Sequence, residues 1–137
     1  MENRESNLLA IRPQLLNARV SENMSNDEQF QNKTIRPIIK LQGDLLIAVF
    51  KNYIRKRKNT FYELSLEKRL SFIENAIQKD MKLRNSLKGM IIGQFTVDEY
   101  DLYTYNSSAL NKRMMNIVKE RIQDNVQLLE PSPLVTT

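Results

Sequence analysis

Residues 25–58 carry the feature that most constrains the fold, because apolar side chains recur there at helical spacing. Ser25 with Glu28 forms a pattern that caps helix N-termini. Spacings of three and four residues place the apolar side chains that follow on one face of a helix. This stripe consists of Ile38, Leu41, Leu45, Val49 and Tyr53, widened by Leu46 and Phe50. Pro37 predicts either a kink or a restart with proline in the first turn.

The capping pattern recurs at Thr60 with Glu63 and at Thr96 with Glu99, and Ser65 offers a competing start for the second of these helices. The apolar phase shifts near Asp80, a residue type that caps helices, so we expect a further helix from there to about residue 93. Apolar stripes accompany these starts. They comprise Leu66, Leu70, Ile73 and Ile77, and then Leu110, Met114, Ile117, Val118, Ile122, Val126 and Leu129.

Three glycines and four prolines in 137 residues are too few for the tight turns of an all-β fold. The length allows one domain with a sizeable core. We therefore predict an all-α fold, a small helical bundle of four to five helices with an extended N-terminal arm. The expected boundaries are an arm over residues 1–24, a helical domain over 25–130 and a C-terminal tail over 131–137.

The absence of histidine and cysteine excludes several kinds of chemistry. Catalytic Ser-His-Asp and Cys-His systems are impossible, and so are metal sites that use imidazole or thiolate ligands. Two carboxylate pairs lie one helical turn apart, Glu63 with Glu67 and Glu120 with Asp124, and solvated surface charges are the simpler interpretation of both. We predict no catalytic, cofactor-binding or metal-binding residue, and no cofactor.

The net charge of +5 is concentrated in residues 35–58, which hold seven Lys or Arg against one Asp. On a straight helix, five of the cations would fall within an arc of roughly 100°, with Ile47 and Ile54 among the residues that intrude on it. Such a stripe is a candidate surface for nucleic-acid phosphates, and a solvated helix face is the alternative. The five residues are Arg36, Lys40, Lys51, Arg55 and Lys58.

The arm over residues 1–24 contains six large aliphatic side chains, but Pro13 interrupts any helix that would bury them. One interpretation is a disordered terminus. The other is an ordered arm that lies across another subunit or a partner, since six apolar anchors do not clearly offset the backbone entropy of ordering the arm. The anchors of a partner-binding arm would be Leu8, Leu9, Leu15 and Leu16.

Four aromatic residues, Phe95, Tyr100, Tyr103 and Tyr105, follow the last glycine at short intervals. They could line a surface for a ligand or partner. The alternative is that they close one end of a helical core.

The segments NSLKGMIIGQFTVDEY (85–100) and NSSALNKRMMNIVKERI (106–122) resemble a family of small uncharacterised bacterial proteins. The resemblance extends from about Leu8 to Leu129. Some members carry the label "glyoxalase", and the resemblance implies no site residues for this chain.

These observations favour a non-enzymatic interaction or assembly protein, with a homo-oligomer or another protein as its partner. The second interpretation is a basic protein that associates with nucleic acid or ribonucleoprotein, and an enzyme of the glyoxalase label's type is the third. No window approaches the roughly 20 apolar residues of a membrane span. We therefore expect no membrane association and a cytoplasmic location.

Overall fold

The computed structural model describes residues 3–15, 21 and 23–131. Helix covers 80% of these residues and strand none of them, which confirms the all-α prediction. The α-helices are α1 (Arg4–Ile11), α2 (Asn26–Phe30), α3 (Arg36–Leu41), α4 (Gly43–Lys56), α5 (Leu66–Lys79), α6 (Met81–Ile92), α7 (Val97–Thr104) and α8 (Ser107–Asp124). A π-helical turn spans Gln31–Ile35, and 3₁₀ turns span Thr60–Glu63 and Val126–Leu129. The helices outnumber the predicted four to five, because α1 lies in the arm and residues 25–58 contain α2, α3 and α4.

The chain passes through Pro37 without leaving helical geometry. The preceding turn is widened, so that the Arg36 amide donates to the Gln31 carbonyl five residues back instead of four. Pro37 then occupies the first turn of α3. The π turn thus accommodates a residue that has no amide hydrogen to donate. The sequence offered a kink or a restart, and the structure shows a continuous helical segment from α2 to α3.

The helix that follows Pro37 is interrupted at Gln42 instead. Its φ of −87° and ψ of 1° separate α3 from α4. Positions before and after Gln42 therefore do not follow one regular helical repeat. Leu46, Phe50 and Ile54 are fully buried, whereas Leu45 is 51% exposed. The predicted stripe identified the correct helix but centred its buried face one residue too early.

Three predicted helix starts are present. The Ser25 hydroxyl accepts from the Glu28 amide at 3.1 Å, and Asp80 caps α6 through the Leu83 amide at 3.2 Å. Thr96 and Glu99 form the complete reciprocal box at the start of α7; Thr96 Oγ1 accepts from the Glu99 amide at 3.1 Å, and Glu99 Oε1 accepts from the Thr96 amide at 2.8 Å.

The predicted start at Thr60 with Glu63 is wrong. These residues form a 3₁₀ turn after Lys58 and Asn59, which both have positive φ. The competing start at Ser65 caps α5, because its hydroxyl accepts from the Lys68 amide at 3.4 Å. The left-handed pair reverses the chain and delays the helix by one turn.

The core lies between α3, α4, α5, α6 and α8. One group of its rings surrounds Phe72, and a second consists of Phe30, Phe95 and Tyr103. Phe72 of α5 makes edge contacts with Phe50 and Phe61. The aliphatic part of the core comes from these helices, from the π turn and from the last 3₁₀ turn. Its fully buried members are Ile35, Ile38, Leu46, Ile54, Ile73, Ile77, Leu87, Ile91, Met114, Val118, Ile122 and Leu129.

Candidate functional site

The N-terminal arm is attached to the rest of the chain by two arginines. Helix α1 has no buried side chain. Arg4 donates to the carbonyl oxygens of Phe95 at 2.8 Å and Gly93 at 3.0 Å. Arg12 donates to the Gln94 carbonyl at 2.7 Å. The arm therefore contacts the segment between α6 and α7 through charge-assisted hydrogen bonds more than through apolar burial.

Glu99 is the centre of this attachment. Arg12 contacts both of its carboxylate oxygens at 2.6 Å, in a two-pronged ion pair whose side chains are only 7% and 14% exposed. Thr34, a buried residue of the π turn, donates its hydroxyl to the same carboxylate at 3.1 Å. One carboxylate thus joins the arm, the π turn and the N-terminus of α7.

The pKa of Glu99 is lowered from its ordinary value of 4.5. Burial by itself would raise this pKa, but the hydrogen bonds from Arg12, the Thr96 amide and Thr34 outweigh the burial and stabilise the charged form. Three groups donate to this carboxylate, namely Arg12, the Thr96 amide and the Thr34 hydroxyl. Glu99 is therefore held in its charged form and anchors the arm.

A groove of about 890 Å³ lies between α1, α2 and α7, and we call it the α1–α7 groove. Three of its apolar side chains are exposed, Leu9 by 49%, Leu102 by 59% and Tyr105 by 86%. Its remaining apolar walls are Phe30 and Leu110, and its acidic residues besides Glu99 are Glu5, Asp27 and Asp98, with Lys33 as the basic residue. Apart from the paired Glu99, acids outnumber bases here by three to one.

The aromatic cluster divides between the two roles that the sequence allowed. Phe95 and Tyr103 are buried and contact each other edge to face, with ring centroids 5.6 Å apart. Tyr103 also donates its hydroxyl to Asn111 at 2.6 Å. Tyr100 and Tyr105 are exposed, and Tyr105 lines the α1–α7 groove. The cluster both closes one end of the core and supplies part of a surface.

A second groove, of about 780 Å³, lies between α3 and α8, and we call it the α3–α8 groove. Arg36 and Lys40 of α3 face it together with Arg121 of α8. Glu120 and Asp124, the carboxylate pair noted in the sequence, line the same groove. The structure therefore brings two of the five predicted nucleic-acid-binding residues together with a third cation that the sequence did not single out.

The other three residues of the predicted basic stripe lie apart from this groove. Lys51 is half-buried on α4, and Arg55 is exposed and donates to Asn52 at 2.5 Å. Lys58 follows the end of α4 at a φ of 62°, so the helical arc does not include it. Ile47 and Ile54, which the straight-helix projection placed within the arc, are buried in the core. The prediction that all five bind nucleic acid remains a prediction.

Arg57, at the end of α4, is part of a structural cluster. Its guanidinium carbon lies 3.6 Å from the centroid of the Tyr53 ring, and it pairs with Asp80 at 2.7 Å. Tyr53 donates to the same carboxylate at 2.9 Å. Burial and this hydrogen bond raise the pKa of Tyr53, while the Leu83 amide and Tyr53 lower the pKa of Asp80. The cluster fastens α4 to α6, and both shifts follow from that attachment.

The four predicted arm anchors are placed differently from one another. Leu8 is half-buried, and Leu9 is exposed in the α1–α7 groove. Leu15 is half-buried and lines the α3–α8 groove. Leu16 lies outside the described residues. The expectation of an extended arm is corrected by α1, which ends before Pro13, and the binding of these residues to a partner remains a prediction.

Among the described residues, no group of three or more potential metal ligands comes together, and no helix combines the length and apolarity that crossing a membrane requires. Glu120 and Asp124 share their groove with three cationic side chains, which disfavours binding of a metal cation there. Glu63 ends a 3₁₀ turn and Glu67 begins α5, so they do not share a helical turn as the spacing suggested.

Sequence reasoning missed Arg121 and Leu102. Each belongs to an element whose pattern was recognised, but the relevant neighbours are more than 60 positions away along the chain. Gly43 was the one available signal, because a glycine near the start of an amphipathic helix often marks close approach by another group. The sequence does not show that the approaching group is Arg121.

Comparison of the chain with protein-family models, with curated proteins and with solved structures finds no match. The geometry of the two grooves is therefore the basis for inferring function.

Proposed function

We propose that the protein is a non-enzymatic interaction protein that binds a cationic, amphipathic helical segment of a partner protein in the α1–α7 groove. The observation that carries this proposal is the presence of three exposed apolar side chains, Leu9, Leu102 and Tyr105, in one acid-lined groove. Exposed apolar side chains that share a concave surface are typical of partner-binding sites.

The charge of the groove favours a basic occupant. Glu5, Asp27 and Asp98 line the groove against Lys33 alone. Complementary charge speeds association and disfavours acidic competitors. An occupant with cations at its edges and leucines or similar residues at its centre would match both parts of the surface.

The form of the groove favours a helix as the occupant. Its walls are helices, and the described residues contain no strand whose edge could pair with an extended peptide. An amphipathic helix can bury its apolar face in such a groove while its charged positions contact the rim.

A labelled peptide of about 14 residues tests the proposal, with leucines at helical spacing and lysines elsewhere. Fluorescence anisotropy should show binding of this peptide and little binding of a matched peptide with glutamates in place of the lysines. Leu102→Ser with Tyr105→Ser should weaken binding about tenfold or more, equivalent to about 1.4 kcal/mol. The control Leu66→Ser removes a side chain that is 61% exposed outside the groove, and should leave binding unchanged.

Equal binding of the two peptides, or binding that the groove variants do not alter, would overturn the proposal. The mass of the protein in solution should be measured with the same samples. If Leu102→Ser with Tyr105→Ser converts an oligomer into a monomer, the occupant is a second copy of the chain.

Nucleic-acid binding is the second candidate, supported by Arg55, Lys56 and Lys58, which are exposed at the end of α4. The affinity for nucleic acid should decrease as the salt concentration rises, with a logarithmic slope proportional to the number of phosphates contacted. Replacing Lys51, Arg55 and Lys58 by glutamine should flatten the logarithmic salt slope by about two to three units. Unchanged binding in this variant would exclude the stripe as the contact surface.

A further inference from the structure

Arg121 lies directly against the backbone of α4 because residue 43 is glycine. A side-chain carbon added at Gly43 would lie 2.6 Å from Arg121 Nη2, 3.1 Å from Nε and 3.2 Å from Cζ. The guanidinium thus occupies the space that any other residue at position 43 would fill. The glycine therefore allows the charged group to approach the start of α4 closely.

The cations of the α3–α8 groove retain hydrogen-bonding capacity. Among the described residues, neither Arg121 nor Lys40 has a side-chain hydrogen bond or ion pair. Arg36 donates from Nε to Asn32 at 3.1 Å, and its two terminal nitrogens have no partner there. Glu120 and Asp124 line the groove without pairing to these cations. Three positive groups therefore face one concave space with donors to spare.

These donors suit a phosphate group. Guanidinium groups bind phosphate oxygens in pairs, and lysine adds a further positive charge. The carboxylates of Glu120 and Asp124 would repel a bare anion at close range, but they can accept hydrogen bonds from hydroxyl groups. The arrangement is complementary to a ligand that is anionic at one end and hydroxylated at the other.

We infer that the α3–α8 groove binds a small phosphate monoester with hydroxyl groups, such as a sugar phosphate. Arg36, Lys40 and Arg121 contact the phosphate, and Glu120 and Asp124 contact the hydroxyl groups. A nucleic-acid backbone offers related phosphate chemistry but needs an extended track of cations. The burial of Ile47 and Ile54 interrupts such a track along α4.

Nitrogen-15 amide spectra of the labelled protein, titrated with ribose 5-phosphate, test the inference. We expect the shifts to centre on α3 and α8, with smaller shifts at the other residues that line the groove. Inorganic phosphate and ribose should bind more weakly, and a single-stranded RNA nonamer should bind no more tightly. Arg121→Gln should weaken ribose 5-phosphate binding about tenfold, because a charged donor is lost. Arg121→Lys should restore part of that affinity.

Gly43→Ala provides the decisive variant, since it displaces the guanidinium while every charge is kept. It should weaken binding, but by less than Arg121→Gln, because the charge is kept and the long Arg121 side chain can shift. Gly89→Ala is the matched control, because an added carbon at this helical glycine meets no atom within 4 Å. Circular dichroism establishes that both alanine variants fold.

Unchanged affinity in folded Gly43→Ala and Arg121→Gln would overturn the inference. So would the absence of any shift at millimolar ribose 5-phosphate. If RNA bound more tightly than ribose 5-phosphate, and Arg121→Gln abolished that binding, the ligand of the groove would be a nucleic-acid backbone and the inference of a small ester would be wrong. Equal affinity for inorganic phosphate and ribose 5-phosphate would contradict the role of Glu120 and Asp124.

Discussion

The α1–α7 groove and the α3–α8 groove are similar in size and opposite in character. The first exposes apolar side chains among acids, and one of its walls is α1, a helix without a buried residue. The second presents three cations from two helices of the main body, and the arm adds only Gln14 and Leu15 to its lining. The first groove therefore depends on a polar attachment that can be broken, whereas the second depends on the packing of Gly43 against Arg121. We therefore expect the two surfaces to bind separate ligands and to be disrupted by different substitutions.

The largest expected effect comes from detaching the arm, which should impair the α1–α7 groove far more than the α3–α8 groove. Arg12→Met leaves Glu99 buried without its cation, and breaking a buried ion pair in this way costs about 3–5 kcal/mol. We expect the amides of α1 to exchange faster with solvent and the Leu/Lys peptide to bind weakly. Ribose 5-phosphate should lose much less affinity, because the arm contributes only Gln14 and Leu15 to the α3–α8 groove and none of its cations. Hydrogen exchange and the two titrations measure this.

Lys119→Met is the control for this change. It removes a looser ion pair with Glu74, 3.7 Å long, whose carboxylate is 46% exposed. Such pairs contribute about 0–1 kcal/mol. If the two variants were equally stable, or if Arg12→Met weakened both ligands alike, the arm would not be what distinguishes the grooves.

Low pH should weaken the attachment of the arm at Glu99. The folded-state pKa of Glu99 is lowered, so its stabilising contribution is complete above its ordinary value of 4.5 and is lost as the pH falls through the lowered pKa. The amide resonances of α1 should therefore shift toward those of a detached arm below about pH 4.5. Glu99→Gln should show the detached spectrum at neutral pH, without this titration. A wild-type arm that stays attached at pH 2 would contradict the assignment.

Ionic strength should affect the two grooves unequally. Raising the salt concentration from about 0.01 M to about 1 M shortens the screening length from about 30 Å to about 3 Å. Binding of ribose 5-phosphate should weaken strongly, because charge supplies most of it. Binding of the Leu/Lys peptide should weaken less, since apolar burial is not screened. Parallel titrations at both salt concentrations give the comparison, and an equal loss for both ligands would remove the distinction.

The smallest effect concerns the stability of the two glycine variants. Gly89→Ala should stabilise the protein by about 0.5–1 kcal/mol, because alanine is the better helix former and its side chain meets open space. Gly43→Ala should gain less or lose stability, because Arg121 must move. Urea unfolding of both variants measures the difference. Equal gains would show that the contact at Gly43 imposes no constraint.

Sequence patterns predicted the helices better than the contacts between them. The Thr96–Glu99 box and the Asp80 cap are local, since each depends on residues three apart, and both appear as expected. The π turn before Pro37 was not foreseen, because a proline signal does not tell a kink from a widened turn.

The candidate site was predicted only in part, for a related reason. Charge counting identified Arg36 and Lys40, but Arg121 reaches them from α8, through a glycine contact that no spacing rule describes. Arg12 and Glu99 are 87 positions apart, so their pairing could not be inferred from one sequence. Burial likewise removed Ile47 and Ile54 from the surface that the helical projection gave them.

The central claim is that the two grooves bind different ligands independently, and a two-ligand amide titration tests it most directly. The labelled protein is titrated with the Leu/Lys peptide, then with ribose 5-phosphate, and then with each in the presence of the other. The account predicts that the peptide shifts amides of α1, α2 and α7, that the ester shifts amides of α3 and α8, and that neither alters the affinity of the other. Overlapping sets of shifted amides, or competition between the two ligands, would contradict it.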